Sequence, residues 1–351
     1  MAEFWHGRRV LITGCSGFIG ANLAAHLQQA GATVTGMDLV SRGPCLNALK
    51  VSMPVYVADV TDPAQTRGVI SHLAPEWVFH LAGMSHPRDC QLDPLRAWEA
   101  NVRGTWNVLE ACRILPGAGK LRAVVCASSD RVYGSLPKAY VPILPDGRRA
   151  YAAVRQDSSR CAWLEDDAPK QTEVYGLSKA CVDLLVRSYA VLGLPVVALR
   201  HQNAFGPADP HGSHLVTGTI CALLEGQAPT IRGDGTTIKG YMAVGDICGA
   251  YAILAEAVAA GTLTAGDPVN AAGWPPISVH ALVTLLIGIA GMKVAPYVLA
   301  EDLSQSGDVE ILDDSRLHSL GWTRRPLLEG LSNTYNWYKE HGGMAWTTSP
   351  I

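Results

Sequence analysis

Along the first two hundred residues, short continuously apolar runs alternate with stretches whose apolar positions recur at helical spacing. Val10–Thr13, Thr33–Met37, Val55–Ala58, Trp77–Leu81, Ala123–Ala127 and Val196–Leu199 read as strands. They are short, rich in β-branched residues and apolar throughout, as strands buried on both faces must be. Phe18–Gln29, Leu92–Leu115 and Glu173–Leu192 read as helices; in the second, Leu95, Trp98, Val102, Leu109 and Cys112 fall near one face. Strands alternating with helices predict an α/β fold with a doubly wound parallel sheet.

After Leu199 the rhythm changes. Gly206-Pro207, Asp209-Pro210, Gly233-Asp234-Gly235 and Trp274-Pro275-Pro276 interrupt it, and a smaller mixed C-terminal domain is expected. The predicted division puts residues 1–200 in the first domain and 201–240 with 261–351 in the second. Residues 241–260, with a helix over Tyr251–Ala260, return to the main sheet. Leu136–Lys170 fits neither pattern: four prolines and four arginines make it a solvated insertion or a basic lid over an anionic ligand.

Composition narrows the class. The 351 residues are 48% hydrophobic and 17% charged, which suits an ordinary globular protein. A net charge of −3 gives no electrostatic reason to expect nucleic acid or an anionic membrane as partner. Nine cysteines, an odd number with no Cys-x-x-Cys pair, argue against a zinc site or a disulfide framework and for a reducing, cytoplasmic setting. Met1–Arg9 lacks the apolar core of a signal peptide. Apolar stretches such as Ala281–Ala290 fall short of the roughly 20 residues a membrane span needs. His211 and His214 have no carboxylate or cysteine at ligand spacing and read as loop histidines, so no metal is expected. Cys126 reads as a buried filler.

The first strand runs into Gly14-Cys15-Ser16-Gly17-Phe18-Ile19-Gly20 and then a helix. Glycines there permit a tight turn and close backbone approach, and the helix N-terminus offers N–H groups to a pyrophosphate. The second strand ends at Asp38, where a carboxylate can accept hydrogen bonds from both ribose hydroxyls and repel a 2′-phosphate. The expected cofactor is therefore NAD, bound on a Rossmann-type domain, with Arg42 keeping NADP open as the alternative.

Tyr175 and Lys179 stand four apart in Tyr175-Gly176-Leu177-Ser178-Lys179 and share a helix face. An ammonium beside a phenol favours the phenolate, so the pair predicts a tyrosine base of lowered proton affinity. Ser128-Ser129-Asp130-Arg131 follows the fifth strand at its carboxyl end, where ligands meet such sheets. Ser128 reads as a turn serine.

Gly-x-x-Gly-x-x-Gly with this Tyr–Lys pair resembles the extended short-chain dehydrogenase/reductases. The chain from residue 8 to about 340 resembles their nucleotide-sugar epimerase/dehydratase family. Arg200-His201-Gln202-Asn203-Ala204-Phe205-Gly206-Pro207, Gly233-Asp234-Gly235 and Leu320-Gly321-Trp322 fall where that family has them. The resemblance implies that Gly14, Ser16, Gly17, Phe18, Ile19, Gly20 and Asp38 hold NAD. It implies that Asp59 and Val60 lie by the adenine, and that His80, Leu81, Ala82 and Gly83 line the cofactor, with Tyr175 and Lys179 beside it. Asn101 would steady the site. Ser129 would bind the oxygen being oxidised, and Arg131, Asn203 and Lys239 would contact the substrate with Asp130. The long helices over Leu92–Leu115 and Glu173–Leu192 would pair in a homodimer.

Ser129-Asp130 followed by a basic residue resembles CDP-glucose 4,6-dehydratase-like members, in which the acid protonates the departing C6 hydroxyl. Two departures stand against it. Arg131 occupies the place of a base for the C5 proton, and a guanidinium stays protonated. Lys239 and Gln305 stand where relatives carry diphosphate-binding arginines. The expected reaction is 4,6-dehydration of a nucleotide-linked sugar through a transient ketone. The alternatives are 4-epimerisation, including that of a sugar without a standard nucleotide diphosphate, net dehydrogenation or reduction, and a non-catalytic NAD-binding role.

Overall fold

The computed structural model describes residues 2–115, 121–136, 162–299 and 307–342. Its strands, in chain order, are β1 (Arg9–Thr13), β2 (Thr33–Asp38), β3 (Val55–Val57), β4 (Trp77–His80), β5 (Ala123–Ala127), β6 (Val196–His201), β7 (Asn203–Phe205), β8 (Thr230–Arg232), β9 (Ile238–Lys239), β10 (Tyr241–Ala243), β11 (Pro268–Ala271), β12 (Ile277–Ser278), β13 (Tyr297–Leu299) and β14 (Val309–Glu310). A seven-stranded sheet has the order β3-β2-β1-β4-β5-β6-β11, and every pairing in it is parallel.

Alternate residues of its strands feed opposite faces. Val10, Ile12, Phe79, Val125 and Val197 pack into one core layer, which includes much of the helix Val244–Ala260. Leu11, Val78, Val124, Cys126 and Val196 pack into the other, with the helices Gly104–Arg113 and Val174–Val191. Burial on both faces is why these runs are apolar at consecutive positions. Each fully buried aliphatic side chain among them contributes about 1.5–3 kcal/mol. Cys126 is one of these fillers, and Ser128, read as a turn serine, is likewise buried.

Two expectations need correction. Leu92–Leu115 is not one helix. Pro94 cannot donate a backbone hydrogen bond, and the chain restarts there with the Asp93 side chain accepting from Arg96 N at 3.1 Å. Pro87–Leu92 and Pro94–Trp98 are thus separate turns. A π-helical turn, Glu99–Arg103, then leads into Gly104–Arg113. Second, the return to the main sheet extends beyond 260. The helix Val244–Ala260 covers one face and β11 then adds to the edge beside β6, so Pro268–Ala271 belongs to the sheet rather than to the second domain. The proline opens the strand, where no preceding ladder bond is lost.

The remaining C-terminal elements form a smaller mixed unit. Helices Leu215–Leu224, Val279–Ala290 and Leu327–Glu340 share one apolar core. A three-stranded sheet, β12-β9-β14, leans on the segment after β5 through Leu136 N, which donates to Val309 O at 2.9 Å. Among the described residues no helix is long and apolar enough to cross a membrane. Of the insertion Leu136–Lys170, residues 137–161 lie outside the described residues, as do Gln305 and Cys161.

Candidate active site

The crevice lies where strand order reverses, between the carboxyl ends of β1 and β4. Gly14 follows β1 with φ +72°, a backbone that disfavours any side chain, and a Cβ there would stand 2.6 Å from Ala82 N. The turn after β1 is thereby pressed against Leu81-Ala82-Gly83 after β4. Gly20 is equally constrained: its Cβ would lie 2.1 Å from Gly14 O. Gly17 differs. A Cβ there would meet only Gly14 O, at 3.4 Å, so the protein's own packing hardly demands glycine. Gly17 is also the N-cap of Phe18–Gln29 and brings no side-chain cap, leaving the helix N–H groups of the Phe18 and Ile19 turn open to an anion.

Asp38 ends β2 beside this turn. Its carboxylate accepts Ser16 N at 2.9 Å and Leu39 N at 2.8 Å. Burial raises its proton affinity, opposed by these backbone donors. A glycine cradle with an open helix end and a carboxylate at the next strand fit a pyrophosphate and a ribose diol. Arg42 is engaged with Asn47 instead. Asp59 accepts Thr61 N at 2.8 Å and shapes the turn after β3, while Val60 is buried against Gly104. His80 points away from the crevice: its ring bonds Thr13 Oγ1 at 2.7 Å and Thr105 Oγ1 at 3.0 Å, and burial drives its proton affinity down to about 3.

Asn101, in the π-helical turn, accepts Met84 N at 2.7 Å and donates to Ser178 Oγ at 2.9 Å. It ties the exit of β4 to the helix that carries Tyr175 and Lys179. That helix starts at Val174 because the Glu173 side chain accepts from Gly176 N. Lys179 Nζ donates to Ala127 O at 2.9 Å, so the ammonium is anchored to the end of β5 and lies 6.0 Å from the Tyr175 ring centre.

The Ser129 hydroxyl lies beside the Tyr175 phenol and favours its ionised form against the burial. Ser129 Oγ in turn donates to Asp130 Oδ1 at 3.0 Å and accepts Arg131 N at 3.2 Å. The structure thus brings Ser129, Asp130, Tyr175 and Lys179 together. The expected acidification of the phenol is not found. Burial pushes Tyr175 up from its ordinary value of 10, and burial pulls Lys179 down to about 8. Taking both groups out of water costs their charged forms more than the pairing returns. A cationic ring bound beside them would favour the phenolate.

Beyond Asp130 the site continues into a cluster of charges. Lys239, on β9, stands 3.2 Å from Glu310 Oε1 on β14, and Arg131 Nη1 stands 3.6 Å from the same oxygen. Asn203 Nδ2 donates to Gly240 O at 3.1 Å, next to Lys239. Arg131 and Lys239, expected to reach the substrate, are therefore both paired with a carboxylate of this chain. Sequence reasoning missed Glu310. It also missed the buried brace behind the site, in which Arg200 Nε donates to Asp183 at 2.8 Å and Nη1 bonds the Tyr133 hydroxyl. Among the described residues no group of three or more His, Cys, Asp or Glu side chains is arranged to hold a metal ion.

Comparison with known proteins follows the same lines. Residues 10–271 match the family described as the NAD dependent epimerase/dehydratase family. The chain is 27% identical to UDP-N-acetyl-alpha-D-glucosaminuronate decarboxylase of Bacillus cytotoxicus, over 95% of this chain and 98% of the relative. It is 28% identical to UDP-glucose 4-epimerase of Mycolicibacterium smegmatis, over 94% and 98%. Among solved structures it is similar to a double mutant of DesIV, a dTDP-glucose 4,6-dehydratase from Streptomyces venezuelae with NAD bound. That similarity has a TM-score of 0.76 at 25% identity, covering 95% of this chain and 98% of the other.

Proposed function

Because the chain belongs to the NAD dependent epimerase/dehydratase family, we propose that it holds NAD and uses it to modify a nucleotide-linked sugar through a transient ketone, with loss of water across C5–C6. Similar proteins named as epimerase, dehydratase and decarboxylase support the coarser statement, enzymatic modification of a nucleotide sugar. Gly14, Gly17, Gly20, the helix N-terminus at Phe18 and Ile19, and Asp38 would hold the cofactor. NAD, when bound there, would supply an acceptor and donor of hydride. The protein's own residues do the rest. Ser129 orients the sugar hydroxyl, Tyr175 takes its proton, and Lys179 holds positive charge beneath it.

The observation that carries dehydration is Asp130. It sits one residue beyond Ser129, is buried, and is pushed up to about 6 by burial, the Glu310 charge adding to it. A carboxyl that keeps its proton near neutral pH is an acid able to protonate a leaving hydroxyl. Simple 4-epimerisation, which needs no such acid, is the second reading, favoured by Arg131 at the position expected for a base. Incubating the NAD-loaded protein with CDP-, dTDP- and UDP-glucose in deuterated water separates them. Dehydration installs solvent deuterium at C5; epimerisation leaves C5 unlabelled.

The same reading includes a homodimer. Leu177 and Leu184 lie exposed on the helix that carries Tyr175, with Leu92 and Leu95 exposed on the neighbouring turns. A second copy seated there would cover them, and sedimentation at micromolar concentration would show two chains.

A further inference from the structure

Elimination needs two opposite proton transfers, one from C5 and one to the departing oxygen. Asp130 suits the second. Arg131, its neighbour, cannot do the first. The structure supplies another carboxylate at the same place. Glu310 is the register partner of Lys239 across β14 and β9, and it is 6% exposed. Its position is held from three sides. Gln202 Nε2 donates to Glu310 O at 2.8 Å, Leu136 N donates to Val309 O, and Ser135 Oγ donates to Asp308 at 2.8 Å. The last two tie β14 to the segment that follows Asp130.

Only one oxygen of each acid is used. Glu310 Oε1 faces Lys239 and Arg131, and Asp130 Oδ1 accepts from Ser129. Glu310 Oε2 and Asp130 Oδ2 are both buried without a partner. A buried carboxylate oxygen left bare is costly, and such atoms are rare unless a ligand completes them. Two in one charge cluster mark a place where something hydrogen-bonding belongs.

We propose that Glu310 is the general base that removes the C5 proton, with Asp130 as the acid opposite it. The assignment rests on the dehydration reading above. The two carboxyls are driven apart. Burial and then the Glu310 charge raise Asp130. Burial would raise Glu310 too, but Lys239 and Arg131 outweigh it and hold it below its ordinary value. One acid keeps its proton while the other stays ionised, which is the pattern of a working acid–base pair. Arg131 then has a role as the cation that keeps the base charged.

The step balances. Glu310 accepts the C5 proton, the C5–H electron pair becomes the C5=C6 bond, and the C6–O bond breaks. Asp130 gives its proton to that oxygen, which leaves as water. The hydride removed from C4 would return to C6, and Glu310, after exchanging its proton with solvent, would return a solvent-derived proton to C5. The proton that Tyr175 took from the C4 hydroxyl restores Asp130 through solvent. One water is lost, with no net oxidation or reduction.

The test uses the NAD-loaded protein and its Glu310→Gln variant with CDP-, dTDP- and UDP-glucose in deuterated water, read by proton NMR at C5. The wild type is expected to install deuterium at C5, and Glu310→Gln to do so about 10²–10⁴-fold more slowly. A variant that labels C5 within threefold of wild type overturns the Glu310 assignment and leaves dehydration standing. A wild type that labels C5 of none of the three overturns both. A substrate-free arm guards against a merely misfolded variant. With carbon-13 in the aspartate carboxyls, Glu310→Gln should make Asp130 titrate at lower pH in a protein with an unchanged melting profile. An Asp130 titration that does not move overturns the pairing.

Discussion

Replacing Asp130 by asparagine should make this protein more stable at neutral pH while removing its activity. The carboxyl is buried among Ser129, Arg131 and Glu310 and binds its proton up to about pH 6, against 3.8 in an unfolded chain. Its ionised form is thus disfavoured by folding. Below pH 4 both states hold the proton and the residue costs nothing. As pH rises from 4 to 6 the unfolded chain ionises while the folded one resists, and stability is lost across that window. Each decade of proton affinity is worth about 1.36 kcal/mol, so the loss is complete above pH 6 at roughly 3 kcal/mol. Asparagine keeps an oxygen to accept the Ser129 hydrogen bond and carries no charge. Urea denaturation of both proteins at pH 4, 5, 6 and 7 reads the effect. The difference should be near zero at pH 4 and grow to about 2–3 kcal/mol in favour of the variant at pH 7. A difference that stays flat with pH would refute the reasoning.

Tyr175→Phe should lower turnover about 10²–10⁴-fold while NAD affinity by calorimetry changes less than tenfold, because only the proton acceptor is lost. Gly17→Ala and Gly20→Ala should behave oppositely. The first leaves the melting temperature nearly unchanged and weakens NAD binding, since its Cβ meets only Gly14 O, at 3.4 Å, and stands beside the helix N-terminus. The second destabilises the fold itself, since its Cβ would overlap Gly14 O. Arg200→Ala should cost about 3–5 kcal/mol in a denaturation experiment, because it strands the buried Asp183 carboxylate.

What could be read from the chain alone was whatever is local. Strands β1, β4, β5 and β6 stood out because burial on both faces leaves runs such as Val124-Val125-Cys126 uniformly apolar. Gly14, Gly17 and Gly20 are close in sequence, Tyr175 and Lys179 share a helix face, and Ser129 and Asp130 adjoin a strand end. Where the reading failed, the deciding physics was not local. Glu310 gains its meaning from a register with Lys239 and from Arg131, both remote in sequence, and a lone glutamate in a two-residue strand carries no signal of that. The direction of the Tyr175 shift depends on how deeply the phenol and the Lys179 ammonium are buried, which spacing does not encode. The break at Pro94 is different: the turn signal Asp93-Pro94 was visible, and the apolar spacing around it masked it. β11 was hidden by its neighbours, since Pro268 and the glycines around it look like loop until β6 offers an edge to join.

The central claim is that hydride leaves the sugar and comes back within one turnover. The fate of a deuterium placed at C4 of the nucleotide sugar tests it directly. After reaction with the NAD-loaded protein, the label should remain in the sugar product, moved to C6, with no reduced cofactor accumulating in solution. Label found in free NADH, or washed into water, would contradict the account.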